Sequence, residues 1–144
     1  MPTADDNRTL IREYMAAVSC GDLDGAAAFF AEDTRNHGRP VGRAGVRFVL
    51  GDIRQTFPDA RFEVLETLTD GDWVAARVIF CGTHAGVARL PVNGGMLVGV
   101  PATGRAVEVQ HIHMLQVRDG RFVEHFANRD DLGMMQQLGL LPTG

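Results

Sequence analysis

The sequence predicts an α+β fold in which helices come first and pack against one face of a curved antiparallel sheet. Three observations carry this. Apolar residues in the first third recur at three- and four-residue intervals, the period of an amphipathic helix. From Arg61 onward the pattern becomes that of strands separated by Asp-Gly turns, which points to antiparallel neighbours. The chain has 144 residues, of which 45% are hydrophobic, enough for one core and no second module. Residues 1–144 are therefore expected to form a single domain.

The elements follow in order. Leu10, Ile11, Tyr14, Met15 and Val18 make the apolar stripe of a first helix, with Asp5 or Asp6 capping its start and Gly21 ending it. The segment LDGAAAFFAED, residues 23–33, reads as a short second helix whose Ala27, Phe30 and Ala31 pack on the first. Val46, Val49, Leu50, Ile53 and Phe57 place a third helix over residues 43–56, which Pro58 stops. Residues 61–69 alternate loosely, Asp70-Gly71-Asp72 turns the chain, and residues 73–83 form an apolar strand. Between Gly86 and Gly104 stand five Gly and two Pro, an irregular stretch read as a loop over an opening. Strands over 105–117 and 122–128 then flank Asp119-Gly120, and DLGMMQQLG closes the pattern as a short amphipathic helix.

Composition narrows the function. The net charge is −4, which argues against nucleic acid or an anionic membrane as the main partner. No apolar run approaches the roughly 18 residues of a membrane span. The polar, acidic start MPTADDNRTLIREY does not read as a secretory leader, and Cys20 and Cys81 lack metal or redox spacing. Free thiols in a cytoplasmic protein are the expectation. Neither a glycine-rich phosphate loop nor a G-x-S-x-G elbow occurs.

The last hairpin carries the chemistry. At Val107, Val109, His111, His113, Leu115 and Val117 every odd position is apolar or imidazole, so this face is expected to look into an enclosed interior. A three-residue loop, Arg118-Asp119-Gly120, would pair Val117 with Arg121, His113 with His125 and His111 with Ala127. The three-residue loop is expected, because Gly120 then stands where that geometry demands positive φ; a two-residue loop would instead bring Phe122, Glu124 and Phe126 to that face. Three readings of the meeting histidines stand: hydrogen-bonded core residues, acid/base or substrate-orienting groups, or a three-histidine metal site. The metal is disfavoured because the H-x-H pair lacks an evident carboxylate partner. Asn36 and His37 close the polar stretch EDTRNH and are either turn residues or the mouth of a pocket. Glu124 and Arg129-Asp130-Asp131 read as rim ion pairs and a helix cap. On the other sheet face, Ile112, Met114, Phe122 and Phe126 are too apolar for water, so a homodimer through this outer face is expected.

The segments NHGRPVGRAGVR, FPDARFEV, DGDWVAAR, GTHAG, GVPATGR and HIHMLQVRDGRFVEHFANRDDLGMMQQLG resemble, in order and spacing, the SnoaL-like polyketide cyclases. The resemblance runs from the first helix to Gly139. It implies an α+β barrel or cone: helices packed into a strongly curved antiparallel sheet enclosing an apolar cavity. It also implies an aromatic polyketide substrate handled with no metal and no organic cofactor. Carried across, the family's cavity histidine falls on His113, its glutamine on His111 and its asparagine on Asn36, while its catalytic aspartate falls on Ala127. Because alanine moves no proton, the chain looks closer to the hydroxylase-like members of the family. The expected function is thus hydroxylation of a polycyclic polyketide. The alternatives are ring closure with a histidine in the aspartate's role, and a non-catalytic binding member of the fold. His113 is the expected base and His111 its partner on the substrate oxygen. Asn36, His37, His125, Ala127, Val109 and Leu115 are the expected substrate contacts.

Overall fold

The computed structural model describes residues 3–91 and 95–143. Helix α1 (Ala4–Ser19) and the short α2 (Leu23–Ala27) lead into strand β1 (Phe30–Asn36) and the two-residue β2 (Arg39–Pro40). Helix α3 (Gly42–Thr56) follows, then β3 (Arg61–Asp70), β4 (Trp73–Thr83), β5 (Ala106–Arg118), β6 (Arg121–Arg129) and α4 (Asp131–Gln137). The six strands form one sheet in the order β2-β1-β6-β5-β4-β3. The helices fill its inner face, and the core runs from Ile11, Tyr14 and Met15 of α1 to Val74, Val78 and Leu115 of the sheet.

The α+β class holds, with corrections that matter for the site. The sheet is mixed and open, because β1 runs parallel to β6 and β2 and β3 remain edges. Helix α2 stops at Ala27, and the second half of the expected helix is β1 instead. The AAAFFAED run has good helix propensity, but Phe30 is worth more in the core, edge-on to Tyr14 at 5.1 Å and Phe122 at 5.2 Å. Tertiary burial overrides a weak local preference. Helix α1 is capped by Thr3, not by Asp5 or Asp6. The Thr3 hydroxyl accepts from the Asp6 N–H at 3.1 Å, and the Asp6 carboxylate accepts from the Thr3 N–H at 2.7 Å, a capping box.

The β5–β6 hairpin differs most instructively. Its loop is two residues, Asp119-Gly120, both at positive φ (52° and 74°), as a type I′ turn requires. Alone, this turn would point Glu124 and Phe126 inward. A bulge at Val123, opposite the step from Gln116 to Val117, shifts the parity by one residue. His125 and Ala127 consequently face the interior as expected, but two residues further along. His113 pairs with Ala127, His111 with Arg129, and His125 with Leu115. Phe122, expected outside, is fully buried before the bulge.

Candidate active site

A cavity of about 380 Å³ opens between α3, the inner sheet face and the loop after β4, within the range of small-molecule sites. Val46, Val49, Leu50 and Ile53 of α3 form one wall, and Ala88, Leu90 and Leu97 of the loop form its cover. Helix α3 holds that cover. The buried Asp52 carboxylate accepts from the N–H groups of Arg89 (2.9 Å) and Leu90 (3.2 Å), and Gln55 Nε2 donates to the Val87 carbonyl at 2.7 Å.

The polar wall is a line of imidazoles. Parallel pairing sets Asn36 of β1 beside His125 of β6. Asn36 Oδ1 lies 2.8 Å from His125 Nδ1, His125 Nε2 lies 2.8 Å from His113 Nδ1, and His113 Nε2 lies 3.2 Å from His111 Nδ1. An amide oxygen only accepts, so one end of the chain sets the protons along its whole length. His125 donates through Nδ1–H to Asn36, and its bare Nε2 accepts from His113 Nδ1–H. The bare Nε2 of His113 in turn accepts from His111 Nδ1–H. His111 Nε2 is left with a lone pair and no hydrogen-bond partner among the described residues, on a ring that lines the cavity.

Apolar rings keep this line neutral. Phe80 stacks on His111 at 5.4 Å and 9°, while Phe62 stands edge-on to His111 at 5.8 Å and to His113 at 5.6 Å. Burial is the main reason that His111 and His113 are each pushed down to about 3 and His125 well below the usual range. The Arg129 guanidinium lowers all three further, as a nearby like charge does. The rings bond to one another in line, and among the described residues no group of three or more His, Cys, Asp or Glu is placed to hold a metal ion.

The sequence-expected residues are only partly brought together. His111, His113, His125, Asn36, His37 and Ala127 all line the cavity. His37 sits in the β1–β2 turn at φ 51°, and its Nε2 accepts from the Ala127 N–H at 3.1 Å. Val109 and Leu115 do not line it. They are buried in the two apolar clusters that flank it, because the sheet's curvature gives only the middle of β5 to the cavity. Sequence reasoning missed Phe62, Phe80 and Tyr14, and it read Arg129 only as a rim ion pair: Arg129 does face Asp131, and Asp130 caps α4 as expected, but Arg129 also lines the cavity. Arg129 shares the parity of His125 and Ala127, so alternation along β6 was the signal that could have found it. No Asp or Glu is among the described residues lining the cavity.

A family model described as SnoaL-like polyketide cyclase matches residues 8–138. The chain is 31% identical over 137 residues to aklanonic acid methyl ester cyclase DnrD of Streptomyces peucetius, covering 90% of this chain and 88% of that one. Its fold superposes on TsrD from Streptomyces laurentii with a TM-score of 0.81 at 27% identity, over 96% of this chain and 98% of the other. AclR, a hydroxylase candidate from Streptomyces galilaeus, matches with a TM-score of 0.80 at 26% identity, over 98% and 89% of the two chains. The likeness of fold and the family match over residues 8–138 agree: the chain belongs to the SnoaL-like polyketide cyclase family.

Proposed function

We propose that the cavity closes a ring in an aromatic polyketide intermediate by intramolecular aldol addition, with the histidine line supplying the proton transfers. The observation that carries this is the free Nε2 of His111 at the end of the line. Both ring nitrogens of His113 are engaged by its neighbours, so the base expected at His113 moves in this reading to His111, and His113 relays. His111 Nε2 takes a proton from the carbon flanked by carbonyls, and the resulting enolate carbon attacks a second carbonyl carbon. A C–C bond forms, the C=O π-bond opens, and His111 returns its proton to the new alkoxide. While His111 holds that proton, its Nδ1–H can pass to His113 and the Nδ1–H of His113 to His125. The positive charge then rests beside the Asn36 oxygen, away from the reacting atoms.

Ring closure is redox-neutral and asks only for a proton moved from carbon to oxygen. Hydroxylation by dioxygen asks in addition for two electrons to reduce the second oxygen atom to water. The cyclase activity in the name of DnrD supports the first reading. Ala127 in place of the family's aspartate and the likeness to AclR favour hydroxylation as the second. Incubation of the protein with a polycyclic polyketide ester under air and under nitrogen, with a two-electron reductant such as ascorbate in both, separates them by product mass. We expect a product of unchanged mass in both atmospheres. A gain of one oxygen atom only in air would establish hydroxylation, and unchanged starting material in both would leave a binding protein.

The proposal includes a homodimer. Ile112 and Met114 are 49% and 41% exposed on the outer sheet face. The register sets Leu68, Ala75, Met114 and Phe126 in one row across four strands, an apolar band suited to an isologous contact. Sedimentation at micromolar concentration should show a dimer, and Ile112→Glu/Met114→Glu a folded monomer. A wild-type monomer would end this part of the reading.

A further inference from the structure

We propose that Arg129 is the anion-recognising residue of the cavity, receiving the ionised oxygen of the substrate, an enolate or phenolate, beside His111. The inference deepens the ring-closure reading and rests on it for the identity of that oxygen. Register carries it first: Arg129 is the cross-strand partner of His111 and lines the same cavity. The charge of Arg129 is also poorly matched. Asp131 Oδ1 approaches its Nε only to 3.7 Å, too far for a hydrogen bond. Both of those atoms are buried without a hydrogen-bond partner, and the terminal guanidinium nitrogens have none among the described residues.

The other cavity cation differs. A terminal nitrogen of Arg35 donates a hydrogen bond to the Gly38 carbonyl, whereas the carboxylates stand equally far from the two residues, Glu124 at 3.7 Å from Arg35 Nε and Asp131 at 3.7 Å from Arg129 Nε. With three imidazoles neutral and no carboxylate among the described lining residues, Arg129, which Asp131 faces only at its Nε, brings positive charge to the cavity beside His111. That charge lowers the pKa of whatever oxygen acid it faces. A planar guanidinium also presents paired donors suited to an oxyanion. This complements His111. The base is weakened by its burial, and the cation compensates by making the carbon acid easier to ionise.

The test uses 2-hydroxyanthraquinone, whose phenolate absorbs at longer wavelength than its phenol, titrated free and bound to the intact protein. The bound phenol is expected to ionise about 1–2 pH units lower than the free one, the usual effect of a cation within about 4–6 Å. Arg129→Met should abolish the shift, and Arg129→Lys should keep part of it. The neutral 2-methoxyanthraquinone should bind wild type and Arg129→Met within twofold of each other, which reports an intact cavity in the variant. No shift in wild type, no binding of the hydroxy compound, or a full shift in Arg129→Met would each overturn the assignment. His111→Gln keeps the two readings apart. A retained phenol shift with lost turnover supports both, whereas retained turnover removes the base reading and leaves this one standing.

Discussion

Replacing His111 by glutamine is expected to lower turnover by about 10²–10⁴-fold, the contribution of a positioned acid/base, while KM changes by no more than a few fold. Glutamine keeps the size and polarity of the site, and its amide can still donate to His113 Nε2, so the line of hydrogen bonds survives without its terminal base. His113→Gln should cost less, about tenfold, because His111 keeps its free nitrogen and loses only the route by which charge moves away. The order of the two effects is the decisive readout. If His113→Gln proved the more damaging, the base would return to His113, where the resemblance alone puts it. The pH profile adds an independent check. With His111 pushed down to about 3, its base form is fully populated above about pH 5. The rate constant of the chemical step should therefore show no ionisation near the usual imidazole value of about 6.5. Ala127→Asp should not raise activity, since a carboxylate there would face His113, whose nitrogens are already engaged.

The helical stripe of α1, the apolar run of β4 and the alternation of β5 are strong local patterns, and the structure keeps each within a residue or two of its expected bounds. Long-range pairing decided what local pattern could not. Phe30 begins a strand because Tyr14 and Phe122 wait for its ring, and neither contact is visible in the run AAAFFAED. The hairpin shows the subtler limit. Gly120 is compatible with both a bulged three-residue loop and a two-residue turn, and the choice depends on where the bulge goes. The chain places it at Val123, inside β6, where no glycine marks it. The expected face of the sheet emerged because two parity changes cancelled, while the pairing of individual histidines did not. The direction of the hydrogen bonds is further still from sequence. It depends on Asn36 standing beside His125, and thus on parallel pairing of β6 with a strand β1 whose first residues, 30–33, carry a helical pattern.

Acid should unfold this protein early, with uptake of about three protons. In the unfolded chain His111, His113 and His125 titrate near 6.5, whereas in the fold two are pushed to about 3 and the third well below the usual range. Between those values the unfolded chain binds protons that the native state refuses, so stability rises with pH and is lost as pH falls from about 6.5 toward about 3. Each such proton contributes about 1.4 kcal/mol per pH unit, so three give a slope near 4 kcal/mol per unit. A domain with the usual stability of about 5–15 kcal/mol exhausts it within about one to four units. His84, buried with Nδ1 accepting from the Thr103 N–H at 3.2 Å, is lowered in the same direction and steepens the loss. Urea unfolding between pH 4.5 and 7.5 measures the slope directly, and His113→Gln should reduce it by about one proton. A stability that stays level from pH 7 to 5 would mean that the imidazoles are charged in the fold, and the neutral line with its free His111 nitrogen would go with it. Activity in acid should accordingly fail where the protein unfolds, not where the base titrates, because the apolar rings that hold His111 neutral are the same ones that make the native state refuse the proton.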